Sequence, residues 1–593
     1  MSTSEKMMYE WNDIPWRKLE RNVFKLQNRI YQASSRGETK AVHKLQRLLL
    51  TSKSAVFLAV RRVAQDNQGK RTAGIDGLAS LRSERKSALS LKILNDPIVP
   101  KAKPVRRVWI PKPGKDEKRP LGIPVMEDRA RQALAKMALE PEWEAKFEPN
   151  SYGFRPGRSC HDAIQAIFNH LRGASKYVLD ADISKCFDRI NHEALLKKLG
   201  TFPKLRRAIR AWLKAGIMDG AKLFPVFEGT PQGGVISPLL ANIALHGFET
   251  AIRDKFQQFH KLPGHERRTP WKPQVIRYAD DFVIFHRNLE ALKRAKQIAE
   301  NWLRNMGLEL KPSKTRITHT LKEIDGSVGF NFLGFNIRQY PRGKNKCMRD
   351  VHSRPLGFTL TITPSKESQK RFITKIRDII KANRNIDQNG LIRLMNPVIR
   401  GWGNYYSTVV SKRVFQKMDM HIFKKLWSWA LRRHPNKGHK WVAHKYWLLD
   451  KCGWVFGIDG KITLHKLADI PIKRHILVQG HRSPYDGDAF YWSSRLGRHP
   501  LIPQSLANLI KRQKGYCREC GRFFMPGDCV TVVRPKTGQA DPQRPTAMIV
   551  HQRCQDLPDR RCTVTEYHFT EEPYEGKLSR TVLKTSANRE VCA

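Results

Sequence analysis

The sequence predicts an α/β core followed by a basic helical bundle and a small cysteine-bearing module. Three observations carry that prediction. Two apolar runs end in acids: Val275-Ile276 leads to Asp280-Asp281 and on into Phe282-Val283-Ile284-Phe285, and Val178-Leu179 leads to Asp180-Ala181-Asp182. From about residue 365, apolar residues recur at helical spacing, with Lys and Arg on the opposite faces. Near the C-terminus, Cys517-Arg518-Glu519-Cys520 is followed by Cys554 and Cys562.

Each acidic stretch reads as a strand ending in carboxylates, and Asp280-Asp281 sits in a tight turn between two short strands. Adjacent acids at a hairpin tip are costly unless something neutralises them. A solvated turn is one answer. A divalent cation is the other, and hard Mg²⁺ prefers carboxylate oxygen. Two carboxylate-tipped strands placed side by side would hold two metals about 4 Å apart, an arrangement that supports in-line phosphoryl transfer.

The chain has 593 residues, enough for several domains. Lys and Arg total 109 against 54 Asp and Glu, a net charge of +55 spread along the chain. Such a protein repels itself unless a polyanion is its normal partner. Nucleic acid fits, with binding that weakens steeply with salt. Anionic membrane is the rival, but no apolar run approaches bilayer-spanning length and the first residues carry no signal-peptide core. The ten cysteines show no regular disulfide framework, which predicts a cytosolic protein.

In chain order, residues 17–66 are helical in pattern, with Phe24, Leu26, Ile30, Tyr31, Val42, Leu45 and Leu49 at helix-like spacing. A basic, Gly-rich loop follows at 69–77. Residues 105–124 alternate basic and apolar around a Gly-containing turn, which predicts a hairpin presenting cations. Gly233-Gly234 precedes the apolar helix Leu239–Leu245, and glycine lets backbone approach a ligand closely. Three basic amphipathic helices come next. Their inner faces are Phe372, Ile373, Ile376, Ile379 and Ile380; Leu391, Leu394, Met395, Val398, Ile399 and Trp402; and Phe415, Met418, Ile422, Leu426 and Trp429. Residues 450–500 are basic, Gly- and aromatic-rich and mostly irregular. The final Cys-x-x-Cys with a distant second pair suits tetrahedral zinc on Cys517, Cys520, Cys554 and Cys562. The second pair is loosely spaced, so His551 is an alternative to Cys562, and four reduced thiols are the alternative to zinc.

Several of these stretches resemble a known family. Tyr278-Ala279-Asp280-Asp281, with Asp182 followed five residues later by Phe187, is similar to the palm of a reverse transcriptase. Around it stand Arg119-Pro120-Leu121-Gly122-Ile123-Pro124, Tyr152-Gly153-Phe154-Arg155-Pro156-Gly157-Arg158-Ser159 and Gly229-Thr230-Pro231-Gln232-Gly233-Gly234. Gly307-Leu308-Glu309-Leu310 with Lys314-Thr315, then Phe332-Leu333-Gly334-Phe335, complete the series. In this order they resemble the reverse transcriptase/maturase encoded by bacterial group II introns, over nearly the whole chain.

The resemblance implies an α/β right-hand polymerase: an N-terminal fingers extension (1–100), fingers and palm (101–355), and an α-helical thumb or maturase (X) domain (356–450). A DNA-binding segment (451–509) and an HNH-like zinc-binding module (510–593) would follow. It implies RNA-directed DNA polymerisation from dNTPs with two Mg²⁺ ions. Asp182, the Ile183 backbone carbonyl and Asp280 would hold the metal, with Asp281 as the third catalytic carboxylate. Asp180 competes with Asp182, but only Asp182 has the five-residue step to an aromatic. Lys112 and Arg119 would grip the triphosphate, Phe187 would pack beneath the sugar and exclude a 2′-hydroxyl, and Gln232 and Lys314 would complete the nucleotide site. The implied partners are group II intron RNA, held by cations around Leu394–Tyr406 and Arg432–Pro435, and target DNA. The implied cycle is assisted splicing followed by copying of the intron into DNA (retrohoming), in the bacterial cytoplasm.

Two alternatives are a splicing-only maturase, opposed by the intact Asp trio, and a reverse transcriptase of another bacterial retroelement class, opposed by the X-like helices and zinc module. The C-terminal module departs from its family. Lys511–Tyr516 and Gly527-Asp528 are similar to the start of an HNH endonuclease. That family has an Asp-His to activate water and a later Asn and His for its metal, where this chain has Val533-Arg534, Thr546 and Gln555. Arginine is always protonated and cannot act as the base, so loss of cleavage is expected.

Overall fold

The computed structural model describes residues 10–111, 117–219, 222–226, 228–229, 233–261, 268–450, 453–535, 547–554 and 562–567. Its N-terminal part is helical, as the spacing predicts. Helices Trp16–Ser35, Thr39–Thr51, Lys53–Arg61 and Ser83–Asn95 pack around the long helix Met126–Lys146. That central helix is buried on most sides although it carries charge, so its charges need partners. Arg155 provides one with a two-pronged pair to Glu144, both bonds 2.9 Å, and both side chains are about 1% exposed. Arg129 donates to the carbonyls of Gly69, Thr72 and Pro124, so the basic loop at 69–77 is pinned from inside.

The central sheet is antiparallel, in the order Arg316–His319, Tyr177–Asp182, Asp281–His286, Gln274–Tyr278. The continuous apolar runs are explained by helices on both faces. Strand side chains alternate. Leu179, Phe282 and Ile284 join the core shared with the N-terminal helices, while Val178, Ile276, Val283 and Phe285 join the core shared with the later helices.

A second sheet holds the cationic hairpin, with Val105–Pro111 paired to Lys118–Ile123 so that Arg119 faces Ile110. A further hairpin, Ile217–Asp219 with Lys222–Phe224, extends it and was not apparent from the sequence. A third sheet runs Phe330–Phe332, Phe335–Pro341, Phe358–Pro364. Its tip, Leu333-Gly334, turns through positive φ at both residues (50° and 82°). The Tyr405 hydroxyl donates to Leu333 O at 2.9 Å and that of Tyr406 to Gly334 O at 3.1 Å, which ties the next helical unit to this tip.

That unit is Lys366–Ala382, Gln388–Tyr406 and Lys412–Arg433. The expected faces are largely those buried, with one correction: Leu394 is exposed and Ile392 is buried instead. At about 100° per residue, Leu391, Ile392, Met395 and Ile399 fall within one arc, and Leu394 lies outside it. Beyond it, Ala489–Leu496 and Gln504–Arg512 pack on a small sheet of Val530–Pro535, Met548–His551 and Cys562–Tyr567 around Phe490, Leu506, Phe524 and Ile549. Among the described residues, no helix is long and apolar enough to cross a membrane.

Candidate functional site

The two acidic strand ends meet. Asp182 closes one strand, Asp281 opens its neighbour, and the two are direct partners in the ladder. Asp280 occupies the turn, and its carbonyl accepts from Ile183 N at 3.3 Å. The end of the Asp182 strand is fixed further by Lys311 N donating to Asp182 O and Ser184 N to Glu309 O, each 2.8 Å.

The turn itself is held from below. Ala279 adopts φ 58°, a left-handed conformation that an L-residue takes only under constraint. The buried guanidinium of Arg277 donates to Ala279 O at 3.0 Å, Ser151 Oγ at 2.7 Å and Asn242 Oδ1 at 3.1 Å. Asn242 in turn donates to Gly153 O at 2.8 Å. Gly153 lies against the turn so closely that a Cβ there would come within 2.4 Å of Ala279 N.

The resulting centre concentrates negative charge. Burial, then the charges of Asp280 and Asp182, push Asp281 up to about 7. Burial and Asp182 also raise Asp280, while Lys314 and Arg119 oppose the rise. Burial takes Asp180 up to about 6 against the pull of Arg316 and Lys314. Lys314, expected in the nucleotide set, places its ammonium directly on the Asp182 carboxylate. That bond raises the Lys314 pKa although burial works against it.

Phe187 sits on the short helix Cys186–Arg189, entered through Lys185 at φ 45°. Its ring meets Phe154 edge-on at 6.1 Å. Phe154 has φ 59° and is 48% exposed, an unusual state for a large apolar side chain. Phe154 belongs to the Tyr152–Ser159 stretch, and its place beside Phe187 is visible only in three dimensions. Arg119 is exposed on the cationic hairpin. Lys112 and Gln232 lie outside the described residues. The neighbouring Gly233 adopts φ 120°, and a Cβ on it would come within 2.6 Å of Gly122 O, so Gly233 rests on that hairpin.

A second cluster gathers Cys517, Cys520, His551 and Cys554, whose ligand atoms all lie within 4.8 Å of one another. Its fourth member is His551, the alternative to Cys562, whose side chain lies outside the described residues. In the ladder, Val530 pairs with His551, whereas Pro535 at the other end of the same strand pairs with Cys562. Five strand residues separate those ends by roughly 16 Å. His551 Nδ1 approaches Cys520 Sγ at 3.3 Å, and its Nε2 approaches Asp528 Oδ2 at 3.1 Å. A carboxylate on the outer nitrogen orients an imidazole toward a metal. Backbone hydrogen bonding from Arg522 is the leading cause that lowers the Cys520 thiol to about 6. Three soft sulfurs and an imidazole form a zinc-type donor set. The side chain of Arg534, and Thr546 and Gln555, lie outside the described residues.

The basic stretch before this module docks through Asp162 of helix Cys160–Leu171. That carboxylate closes a capping box with Ser159. It also accepts from Val478 N at 3.0 Å and Arg495 at 3.1 Å and pairs with His475 at 2.9 Å. Burial works against its charge, but the bond from His475 and the accompanying contacts hold it at about 2.

Comparison with known proteins agrees with this geometry. Residues 110–337 match the family described as reverse transcriptase (RNA-dependent DNA polymerase), 11–93 the N-terminal domain of reverse transcriptase, and 369–447 the group II intron maturase-specific domain. Protein YkfC of Escherichia coli K12 is 33% identical over 332 residues, covering 50% of this chain and 83% of that protein. The group II intron-encoded protein LtrA of Lactococcus lactis subsp. cremoris is 30% identical over 444 residues, covering 64% and 72%. A 91 kDa protein in the cob intron of Schizosaccharomyces pombe is 28% identical over 431 residues, covering 62% and 51%. The chain therefore belongs to the group II intron-encoded proteins, which join a reverse transcriptase to a maturase domain, and it is an RNA-directed DNA polymerase and maturase.

Proposed function

We propose that Asp182, Asp280 and Asp281 are the polymerising centre of a right-hand enzyme, with fingers and palm over 101–355 behind an N-terminal extension (1–100) and a thumb over 356–450. The observation that carries this is the ladder pairing of Asp182 with Asp281, which brings the two acidic strands to one edge. The donor set fits Mg²⁺: hard carboxylate oxygens, with burial and then the crowding of like charges raising the pKa values of Asp280 and Asp281. Asp182, Asp280 and the Ile183 carbonyl would hold the metal, and Mg²⁺ there supplies charge stabilisation for the attacking and leaving oxygens.

The chain's own residues do the rest. The primer 3′-hydroxyl attacks the α-phosphate of a dNTP, forming the new P–O bond as pyrophosphate leaves. Lys112 and Arg119 screen the triphosphate. Phe187, backed by Phe154, lies beneath the sugar and excludes a 2′-hydroxyl, and Gln232 contacts nucleotide and template. Lys314 sets its ammonium against the Asp182 carboxylate.

The thumb helices would hold intron RNA during splicing. The 451–509 segment and the zinc module, with Cys517, Cys520, His551 and Cys554 as ligands, would hold the DNA target that receives the intron copy. The module would bind DNA without cutting it. Primer extension on an RNA template, with Mn²⁺ binding followed by electron paramagnetic resonance, tests the reading. Asp182→Asn should lose both extension and tight Mn²⁺ binding. A variant that extends normally would remove Asp182 from the centre.

A further inference from the structure

The maturase helices run into the short helix His439–Tyr446 and then a hairpin of Trp447–Asp450 with Gly453–Ile458. Val442 and Tyr446 turn into the core, which leaves Trp441, His444 and Lys445 outward. In the hairpin, Leu449 is the direct partner of Trp454, so the two side chains share a face. Trp441, Leu449 and Trp454 are 41%, 75% and 48% exposed. His444 meets the Trp454 ring edge-on at 6.3 Å and sits about one helical turn from Trp441. A single strip thus runs Trp441, His444, Trp454, Leu449.

Cations frame it. Lys445 Nζ lies 4.7 Å and Lys437 Nζ 5.6 Å from the centre of the Trp441 ring. From residue 420 to 449 the sequence has no Asp or Glu, but five Lys, two Arg and four His. Asp419, just before, commits its carboxylate to the amides of Leu467 and Ala468 at 2.9 and 2.8 Å. Phosphate gripping alone needs the cations and has no use for exposed indoles. Ring faces set among cations are what single-stranded nucleic acid requires, because every base has a face to stack and a phosphate beside it.

We propose that this strip is a stacking site for unpaired nucleobases of RNA, with Trp441 and Trp454 taking bases and Lys437 and Lys445 the flanking phosphates. The inference rests on the maturase reading and adds the kind of element recognised, a single-stranded loop rather than a duplex. Both lysines are exposed and long, so a base that takes the ring face leaves them beside its phosphates.

The test uses the full chain and two probes: an RNA hairpin whose loop is all uridine with one thiouridine, and a blunt duplex of the same stem. Trp441→Ala and Trp454→Ala should each weaken loop binding by about 5- to 150-fold while duplex binding, which also reports folding, and the salt slope stay as in wild type. Trp441→Phe should retain most of the loop affinity. Irradiation should cross-link the thiouridine within residues 437–458. Lys437→Gln with Lys445→Gln should weaken both probes and flatten the salt dependence. Wild-type protein that binds neither probe would remove the maturase reading itself. If wild type binds both and the alanine variants match it, or the cross-link maps elsewhere, the stacking site alone is overturned. It is overturned too if the variants change only self-association in sedimentation, which would make the strip a contact between copies.

Discussion

Gly153→Ala isolates the support beneath the acidic turn from the acids themselves. The added Cβ would sit 2.4 Å from Ala279 N and 3.0 Å from both Tyr278 C and Ala279 Cβ, nearer than non-bonded carbon tolerates. Two of those atoms are backbone, and Arg277 holds the turn at Ala279 O, so the contact cannot be relieved by a rotamer change. Overpacking of this kind costs about 1–3 kcal/mol of stability. Its larger effect is on position. A shift of Asp280 and Asp281 by about 1 Å costs on the order of 100-fold in rate. Gly173→Ala is the control, since a Cβ there meets nothing within 4 Å. Primer extension and thermal unfolding should be measured on both variants. Gly153→Ala should lose about 100-fold in extension while remaining folded, and Gly173→Ala should behave as wild type. Wild-type extension by Gly153→Ala would refute the argument that backbone contact sets the turn.

If Phe187 packs beneath the sugar as proposed, Phe187→Ala should raise ribonucleotide incorporation relative to deoxynucleotide, and Phe154→Ala should do so more weakly, because Phe154 touches only the Phe187 ring; single-nucleotide extension assays read both. For metal, His551→Ala should release zinc in elemental analysis and Cys562→Ser should keep it. For pH, Asp281 is raised from 3.8 to about 7, so between those values the folded state keeps a proton that the unfolded state has lost. Its contribution to stability therefore falls as pH rises through that window. The Tm of Asp281→Asn relative to metal-free wild type should climb across it, and a flat difference would count against the shift.

The acidic strands were legible because each is a short apolar run ending in carboxylates; that the two pair with each other is long-range and was not written in either run. The cationic hairpin and the three amphipathic helices were legible for the same reason, with Leu394 misplaced because a six-residue face leaves its edge positions ambiguous. What escaped was long-range. Arg277, Asn242, Ser151 and Gly153 come from four separate stretches, and nothing local marks them as one clamp on Ala279. Asp162 reads locally as a helix cap, yet it also anchors residues more than three hundred positions away. His551 and Cys562 are equally plausible ligands by type; strand register, which spacing does not reveal, separates them.

In the proposed division of labour, the Asp centre performs polymerisation while the basic helices serve RNA separately. The most direct measurement takes one preparation of the Asp280→Ala/Asp281→Ala double variant and assays primer extension on an RNA template alongside binding and splicing of intron precursor RNA. Extension should be abolished while RNA binding and splicing persist. Retained extension, or loss of splicing in folded, RNA-bound protein, would contradict it.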